Sequence, residues 1–367
     1  MSNSNQKILA PLRFSPLPKE KVWGGHKLAR FCEQDLPSDR AIGEMWCMWD
    51  HLSPANGAWA GKTLAEWVRE DPLPLLGSRL VEAGHADFPL LIKLIDAQQT
   101  LSVQVHPDDG YAQEQEGEPF GKAEVWYILS VEPGARLIRG LKEPLDRAAV
   151  QEAIDDGALQ EWLDYVPVAP GDVIYNPPGT IHALGEGILL YELQQSSDIT
   201  YRLYDWDRQD PNRPLHIEKS LDVSHLEPYP KQKIQPIEVR EDSTVRTYLC
   251  ACKHFAAELL RVEDTAFERP AGECFHVLTV LSGIGIVRYP AAPLAGAALR
   301  PGNSLLIPAG IPLYTIQAVE PLSLIKAYVP HLETDIVRPL QAAGISESRI
   351  LQLGGASGPS DLTPYLP

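Results

Sequence analysis

The residues best suited to chemistry are two imidazoles, an amide and a carboxylate: His106, His182, Gln104 and Glu124. Gln104 and His106 stand two apart in Leu101-Ser-Val-Gln104-Val-His106, a run with strand alternation, so both side chains leave one face, which Ser102 shares. Lys122 and Glu124 repeat that two-residue spacing at the mouth of the apolar run from Val125 to Ile128. Charges that abut buried surface demand partners, so a solvated strand end explains this pair poorly. Two imidazoles, one amide oxygen and one carboxylate, without a thiolate, suit Zn2+ or another divalent first-row ion in a catalytic rather than a closed structural site. Any one of these histidines alone reads as an ordinary hydrogen-bonded group. The joint pattern is what points to metal.

His182 closes a segment that occurs twice. Pro170-Gly-Asp-Val-Ile-Tyr-Asn-Pro-Pro-Gly179-Thr-Ile-His182 aligns, 131 residues on, with Pro301-Gly-Asn-Ser-Leu-Leu-Ile-Pro-Ala-Gly310-Ile-Pro-Leu313. Matched Pro and Gly around a short apolar run describe a strand entered and left by tight turns. The duplication predicts two similar β domains, of which only the first keeps a metal-binding histidine. Short runs rich in β-branched, aromatic or Leu residues predict strands at Leu101–Val105, Val125–Val131, Ile188–Leu193, Ile199–Tyr204, Phe275–Leu281, Gly285–Tyr289 and Leu322–Val329. That spacing belongs to antiparallel sandwiches and jelly rolls. Helices are expected at the periphery, about 60–76, where Thr63 and Glu66 form a capping box, and 145–165, with a break at Gly157. Glu227–Glu238, with its prolines and alternating charge, reads as a connector, and Gly354–Pro367 as a loosely held tail.

The stretch from Ala183 to Glu192 suggests a hairpin turning near Glu186, which would set Glu192 opposite Thr180 and on the face of His182. On the next strand Thr200, Arg202 and Tyr204 share a face. Arg202 between Tyr201 and Leu203 points either at an anion or at a structural partner among Asp198, Asp205 and Asp207. His216 and His225 sit in a polar stretch and are expected to face solvent. Trp46, Trp49, Trp126 and Trp206 could stack on a sugar ring, with buried packing the commoner fate.

Composition narrows the partners. The 32 Lys and Arg against 49 Asp and Glu give a net charge of −17, which leaves no basic surplus for nucleic acid or anionic membranes. The longest apolar run, Phe88 to Ile95, is interrupted by Lys93 and is too short to span a bilayer. Met1–Phe14 has no apolar stretch of signal-peptide length, and the five scattered cysteines do not suggest a disulfide framework, so a cytoplasmic location is expected. Gly283-Ile-Gly285 lacks the third glycine and following helix of a dinucleotide loop.

The Gly171 to His182 pattern resembles the second motif of the cupin superfamily. Leu101-Ser-Val-Gln-Val-His-Pro-Asp-Asp109, Gly121-Lys-Ala-Glu-Val-Trp-Tyr127, Tyr191-Glu-Leu-Gln-Gln-Ser-Ser-Asp198 and Thr200-Tyr-Arg-Leu-Tyr-Asp-Trp206 together resemble the short bacterial form of the type I mannose-6-phosphate isomerase family. Lys21-Val-Trp-Gly-Gly25 and Ile42-Gly-Glu-Met-Trp46 extend the likeness to about residue 332. The resemblance implies a mostly β protein of two cupin jelly-roll barrels with peripheral helices: a catalytic domain over 1–238, a metal-free domain over 239–332 and a tail over 333–367. It also implies a zinc-dependent aldose–ketose isomerase acting on a sugar phosphate through an enediol. One Zn2+ per chain would be held by Gln104, His106, Glu124 and His182. Arg202, Glu192 and Lys122 would serve catalysis, and Ser102, Lys122 and Arg202 would bind substrate. Either Glu192 or a zinc-bound water could carry the proton. The second barrel departs from the metal pattern, with Leu313 where a histidine could stand and Cys274 near the place of a carboxylate. An Fe2+ cupin oxidoreductase and a sugar-phosphate-binding cupin without turnover are the alternatives.

Overall fold

The computed structural model describes residues 9–32, 36–37, 39–56, 61–208, 210–230, 232–355 and 360–366. The first strands are β1 (Leu12–Phe14), β2 (Leu17–Gly25), β3 (Ile42–Met48), β4 (Leu90–Ala97), β5 (Val103–Val105) and β6 (Glu124–Val131). There follow β7 (Arg136–Leu141), β8 (Leu163–Pro167), β9 (Val173–Asn176), β10 (His182–Ala183), β11 (Ile188–Gln195) and β12 (Tyr201–Tyr204). The later residues supply β13 (Ile237–Glu241), β14 (Thr244–Ala251), β15 (Ala256–Val262), β16 (Thr265–Glu268) and β17 (His276–Ser282). The last are β18 (Gly285–Tyr289), β19 (Ala292–Leu299), β20 (Ser304–Ile307), β21 (Tyr314–Ala318) and β22 (Leu322–Tyr328).

These strands form four separate antiparallel sheets that pack in two pairs. The first pair joins a sheet of order β2-β3-β4-β11-β6-β9 to one of order β12-β5-β10-β7-β8. Ile95, Ile128, Ile174 and Leu190 from one sheet meet Leu137 and Val166 from the other in a shared apolar cluster. The second pair joins β1-β20-β17-β22-β15-β14-β13 to β16-β21-β18-β19, with Leu260, Leu278 and Leu324 against Val287, Leu299 and Ile316. A larger cluster lies outside both interiors. Leu90, Ile92 and Leu94 of β4 pack there with Ala257 and Leu259 of β15, Phe275 and Trp67. β4 is therefore buried on both faces, which explains its near-continuous apolar run.

The repeat is visible in the hydrogen bonds. Gly171 N–H donates to Ile128 O at 2.8 Å, and Gly302 N–H donates to Val280 O at 2.9 Å. Both glycines have positive φ, +92° and +81°, so any side chain there would be strained.

Helices α1 (Leu64–Glu70) and α2 (Pro72–Leu76) occupy the first expected helical region, of which residue 60 lies outside the described residues, and α3 (Ser78–Glu82) follows beyond it. Thr63 and Glu66 form the capping box, with Thr63 N–H donating to the Glu66 carboxylate at 2.7 Å. The second region differs from expectation. α4 (Asp109–Glu116) precedes it, and α5 (Arg147–Asp155) ends before Gly157, whose φ is +67°; from Leu163 the chain is strand β8. Tyr165 and Val166 satisfy helical and strand spacing alike, and pairing with β7 decides between them. Within the segment expected to be loosely held, Leu362 and Leu366 are buried in the large cluster, as are Leu340, Ile350 and Leu353 before it; 356–359 and 367 lie outside the described residues.

Candidate metal centre and its cavity

β5, β6 and β10 bring the candidate ligands together. β6 starts at Glu124, and β10 pairs His182 with Gln104 of β5. Gly179, at φ +85°, lets the preceding turn approach Val223, whose carbonyl oxygen would lie 2.7 Å from an added Cβ. The ligating atoms of His106, Glu124 and His182 lie within 4.8 Å of one another, and all three residues are buried. His106 Nδ1 is 2.8 Å from the Ile199 carbonyl oxygen and His182 Nδ1 is 2.8 Å from that of Thr180. Each carbonyl can only accept, so both Nδ1 atoms carry the proton and both Nε2 lone pairs face the Glu124 carboxylate, at 3.5 and 3.1 Å. The Gln104 amide reaches to 3.2 Å from His182 Nε2. This donor set fits a divalent metal, because two imidazoles, a carboxylate and an amide side chain converge, with both imidazole Nδ1 atoms already satisfied by carbonyls.

Electrostatics favour the ligating protonation states. Burial, reinforced by the Lys122 ammonium, pushes His106 down to about 3. Burial alone would raise Glu124, but Lys122 and the two histidines outweigh it and hold the carboxyl well below its usual range. Lys122 Nζ lies 2.7 Å from Glu124 Oε2 and 2.9 Å from His106 Nε2.

Beside this centre opens a cavity of about 270 Å³, lined among others by Ser102, Gln104, Lys122, Glu192, Asp198 and Arg202. Arg202 makes no salt bridge among the described residues. Its Nε donates to Ser102 Oγ at 3.3 Å and its Nη1 to the Pro214 carbonyl at 2.9 Å. Asp205, a candidate partner, is taken by Arg208 and Arg213 instead. Burial and the nearby Arg213 cation lower the Arg202 pKa, so an anion in the cavity would relieve both. His216, expected in solvent, is half-buried, and its Nδ1 accepts the Arg202 N–H at 3.2 Å.

Glu192 reaches the cavity by another route than the expected hairpin. It pairs with Lys93 and Trp126 in one sheet, whereas His182 pairs with Gln104 and Arg139 in the other. The chain crosses between sheets at Gly185–Gly187, so Glu192 is not opposite Thr180. Trp126 Nε1 donates to Glu192 Oε2 at 2.7 Å, and Lys93 Nζ lies 3.2 Å from Oε1.

Lys93 and Glu44 escaped the sequence reading as site residues. Burial would lower the Lys93 pKa, but Glu192 and Glu44 overcome that and raise it. Glu44 accepts from Trp46 Nε1 at 2.8 Å and lies 3.2 Å from Lys21 Nζ. The available signal was the single charge interrupting the Phe88–Ile95 run. Of the tryptophans, Trp23 and Trp126 line the cavity; Trp46 packs edge-on against Trp49, and Trp206 donates to the Leu101 carbonyl.

Residues 12–127 match the family model described as phosphomannose isomerase type I, catalytic domain. The chain is 37% identical over 314 residues to mannose-6-phosphate isomerase ManA of Bacillus subtilis, covering 82% of this chain and 94% of that protein. The chain belongs to the type I mannose-6-phosphate isomerases. The mannose-6-phosphate isomerase of Streptococcus mutans is 42% identical over 220 residues, covering 58% of this chain and 67% of that isomerase. A crystal structure of the mannose 6-phosphate isomerase from Bacillus subtilis superposes with a TM-score of 0.75 at 33% identity, covering 87% of this chain and 99% of that one. As an isomerase of this family, the chain brings its buried histidines and glutamate together with the partly exposed Gln104 amide in its first sheet pair. No helix among the described residues is long and apolar enough to cross a membrane.

Proposed function

We propose that the chain interconverts mannose 6-phosphate and fructose 6-phosphate through an enediol, with one Zn2+ held by Gln104, His106, Glu124 and His182. The observation that carries this reading is the buried convergence of His106, Glu124 and His182 beside a cavity that also presents Arg202. Bound there, the ion supplies Lewis-acid polarisation of the sugar carbonyl. The reaction moves a proton between C2 and C1, so the chain must open, hold and shield a charged intermediate.

Arg202 and Ser102, joined by their own hydrogen bond, bind the substrate, and Arg202 offsets the negative charge that develops during proton transfer. Lys122 is tied to Glu124 and His106, so it acts on the sugar oxygens at the metal end. Glu192 carries the proton, with Trp126 fixing one oxygen and the Lys93 ammonium beside the other. Five cationic residues against three carboxylates line the cavity, which reverses locally the field of a −17 chain and admits a phosphate dianion.

The two sheet pairs are read as two cupin barrels, over 1–238 and 239–332, except that β1 and the start of β13 belong to the second pair, followed by a docked segment over 333–367. Five free cysteines, three of them in the second half, agree with a reducing, cytoplasmic setting. Coupled detection of fructose 6-phosphate tests the proposal: turnover of mannose 6-phosphate, its loss with a chelator and its return with Zn2+ are expected. Oxygen consumption without isomerisation would favour an Fe2+ oxidoreductase, and sugar-phosphate binding without solvent-hydrogen exchange at C1 or C2 a non-catalytic protein.

A further inference from the structure

The ladders fix which residues of the second sheet pair stand in the places of the metal centre. Asn176 pairs with Glu124, and Ile307, its counterpart 131 residues on, pairs with His276. His276 therefore occupies the place of Glu124, and Cys274, two residues earlier, that of Lys122. In the facing sheet Gln104 pairs with His182, and Glu268 pairs with Tyr314. The loop before β21 is one residue longer than that before β10, so Tyr314 rather than Leu313 stands at the histidine's place.

The neighbouring row is more telling. Glu192 lies across from Trp126 and Lys93; Lys326 lies across from Leu278 and Glu258. Glu44 lies across from Ile95, and Arg246 across from Leu260. Glu44, Lys93 and Glu192 thus become Arg246, Glu258 and Lys326, with the charge reversed at all three positions. The replacements satisfy one another. Lys326 Nζ lies 2.9 Å from Glu258 and 2.8 Å from Glu268, while Arg246 bonds Glu258 and, at 2.6 Å, Glu268. Tyr328 donates to Glu258.

This network does not fill the space it surrounds. It borders a cavity of about 300 Å³, as large as the one beside the metal centre. Tyr248 and His276 line it and are only 6% and 7% exposed. The Tyr248 hydroxyl and His276 Nε2 have no hydrogen-bond partner among the described residues, whereas His276 Nδ1 is engaged by the Tyr314 hydroxyl at 2.9 Å. Both groups open onto the cavity, where a ligand's hydroxyls could engage them in place of solvent.

We propose that this cavity is a second ligand site, for an uncharged polyhydroxylated molecule of monosaccharide size. Its interior charges cancel in pairs, and around the whole lining four cations face five carboxylates, so it offers a phosphate no net attraction. Hydroxyl groups, which both donate and accept, match the Tyr248 hydroxyl, His276 Nε2 and the remaining proton of Lys326.

The test is saturation-transfer NMR and calorimetry with D-mannose on the full chain, in a saturating, equilibrated mixture of mannose and fructose 6-phosphates that fills the first cavity. Saturable D-mannose binding is expected. Tyr248→Phe, which removes only an unpartnered hydroxyl, should weaken it roughly three- to tenfold with isomerase kcat/KM unchanged. Glu258→Gln combined with Lys326→Met should abolish it, and Glu192→Gln should leave it intact. No saturable binding, equal binding by the Tyr248→Phe protein, or loss in Glu192→Gln would each overturn the proposal. Isomerase turnover by the unaltered chain is read separately, so failure here leaves the first site's function untouched.

Discussion

Lys93 Nζ lies 3.2 Å from Glu192 Oε1 across the ladder joining β4 to β11, and both side chains are almost wholly removed from water. The ammonium also faces Glu44, so one cation answers two buried carboxylates.

Lys93→Met should therefore leave Glu192 without its buried cation, while Glu44 keeps Lys21. Loss of one partner from a buried ionic group costs about 3–5 kcal/mol, and urea unfolding of the variant should show a loss of that size. Its kcat should fall as well, since Glu192 would lose the cation that lies 3.2 Å from its Oε1. A variant as stable as the parent would show that Glu44 and Glu192 do not depend on this lysine.

Removal of a ligand should remove the metal. His182→Ala is expected to purify with little bound zinc, measured by elemental analysis, and to lose turnover. Zinc at 100 times its dissociation constant should stabilise the parent by about 2.7 kcal/mol and the variant far less. Leu313→Ala, whose side chain stands one residue from the equivalent position, should keep its metal.

Arg202→Ala should retain zinc yet lose catalysis. Removing a group that stabilises developing charge typically costs about 10²–10³ in rate, so kcat/KM for mannose 6-phosphate should fall by that order. Unchanged kinetics would take Arg202 out of the mechanism.

The second sheet pair should govern part of the acid response. Burial, then the Lys326 cation, lowers the His276 pKa to about 3, against about 6.5 in an unfolded chain. Between those values the unfolded chain binds a proton that the folded one refuses, so stability must decline as pH falls from 6.5 toward 3. Glu268 acts in the same direction at lower pH. Burial opposes its ionisation, but Lys326 and Arg246 prevail and hold it at about 2, so its contribution is present above about 4.3 and is lost toward 2. Urea midpoints measured from pH 7 to 4 should drop, and His276→Gln should flatten the upper part of that slope.

Much of the site was legible because its chemistry is local. Gln104 with His106, and Lys122 with Glu124, announce themselves as polar residues on one face of an apolar strand, and the Pro and Gly of the repeat mark the turns around His182. What was hidden depends on partners distant in the chain. Glu192 and His182 looked like neighbours in a hairpin, yet they belong to two sheets that face each other. The charge reversal from Glu44, Lys93 and Glu192 to Arg246, Glu258 and Lys326 has no sequence signature at all, since the three offsets differ. Only the ladders align those residues. The register between Leu313 and Tyr314 was lost for a similar reason: one inserted loop residue shifts which side chain faces inward.

β1 has a further implication. Leu12–Phe14, at the start of the described chain, closes the edge of the second sheet pair by pairing with Ser304–Leu306 of β20. A ribosome must therefore release nearly the entire polypeptide before this strand can find its seat, and the distal half cannot be expressed alone without exposing a bare sheet edge. The protein should melt in a single step, and excising either half should yield an aggregation-prone fragment rather than a smaller working unit.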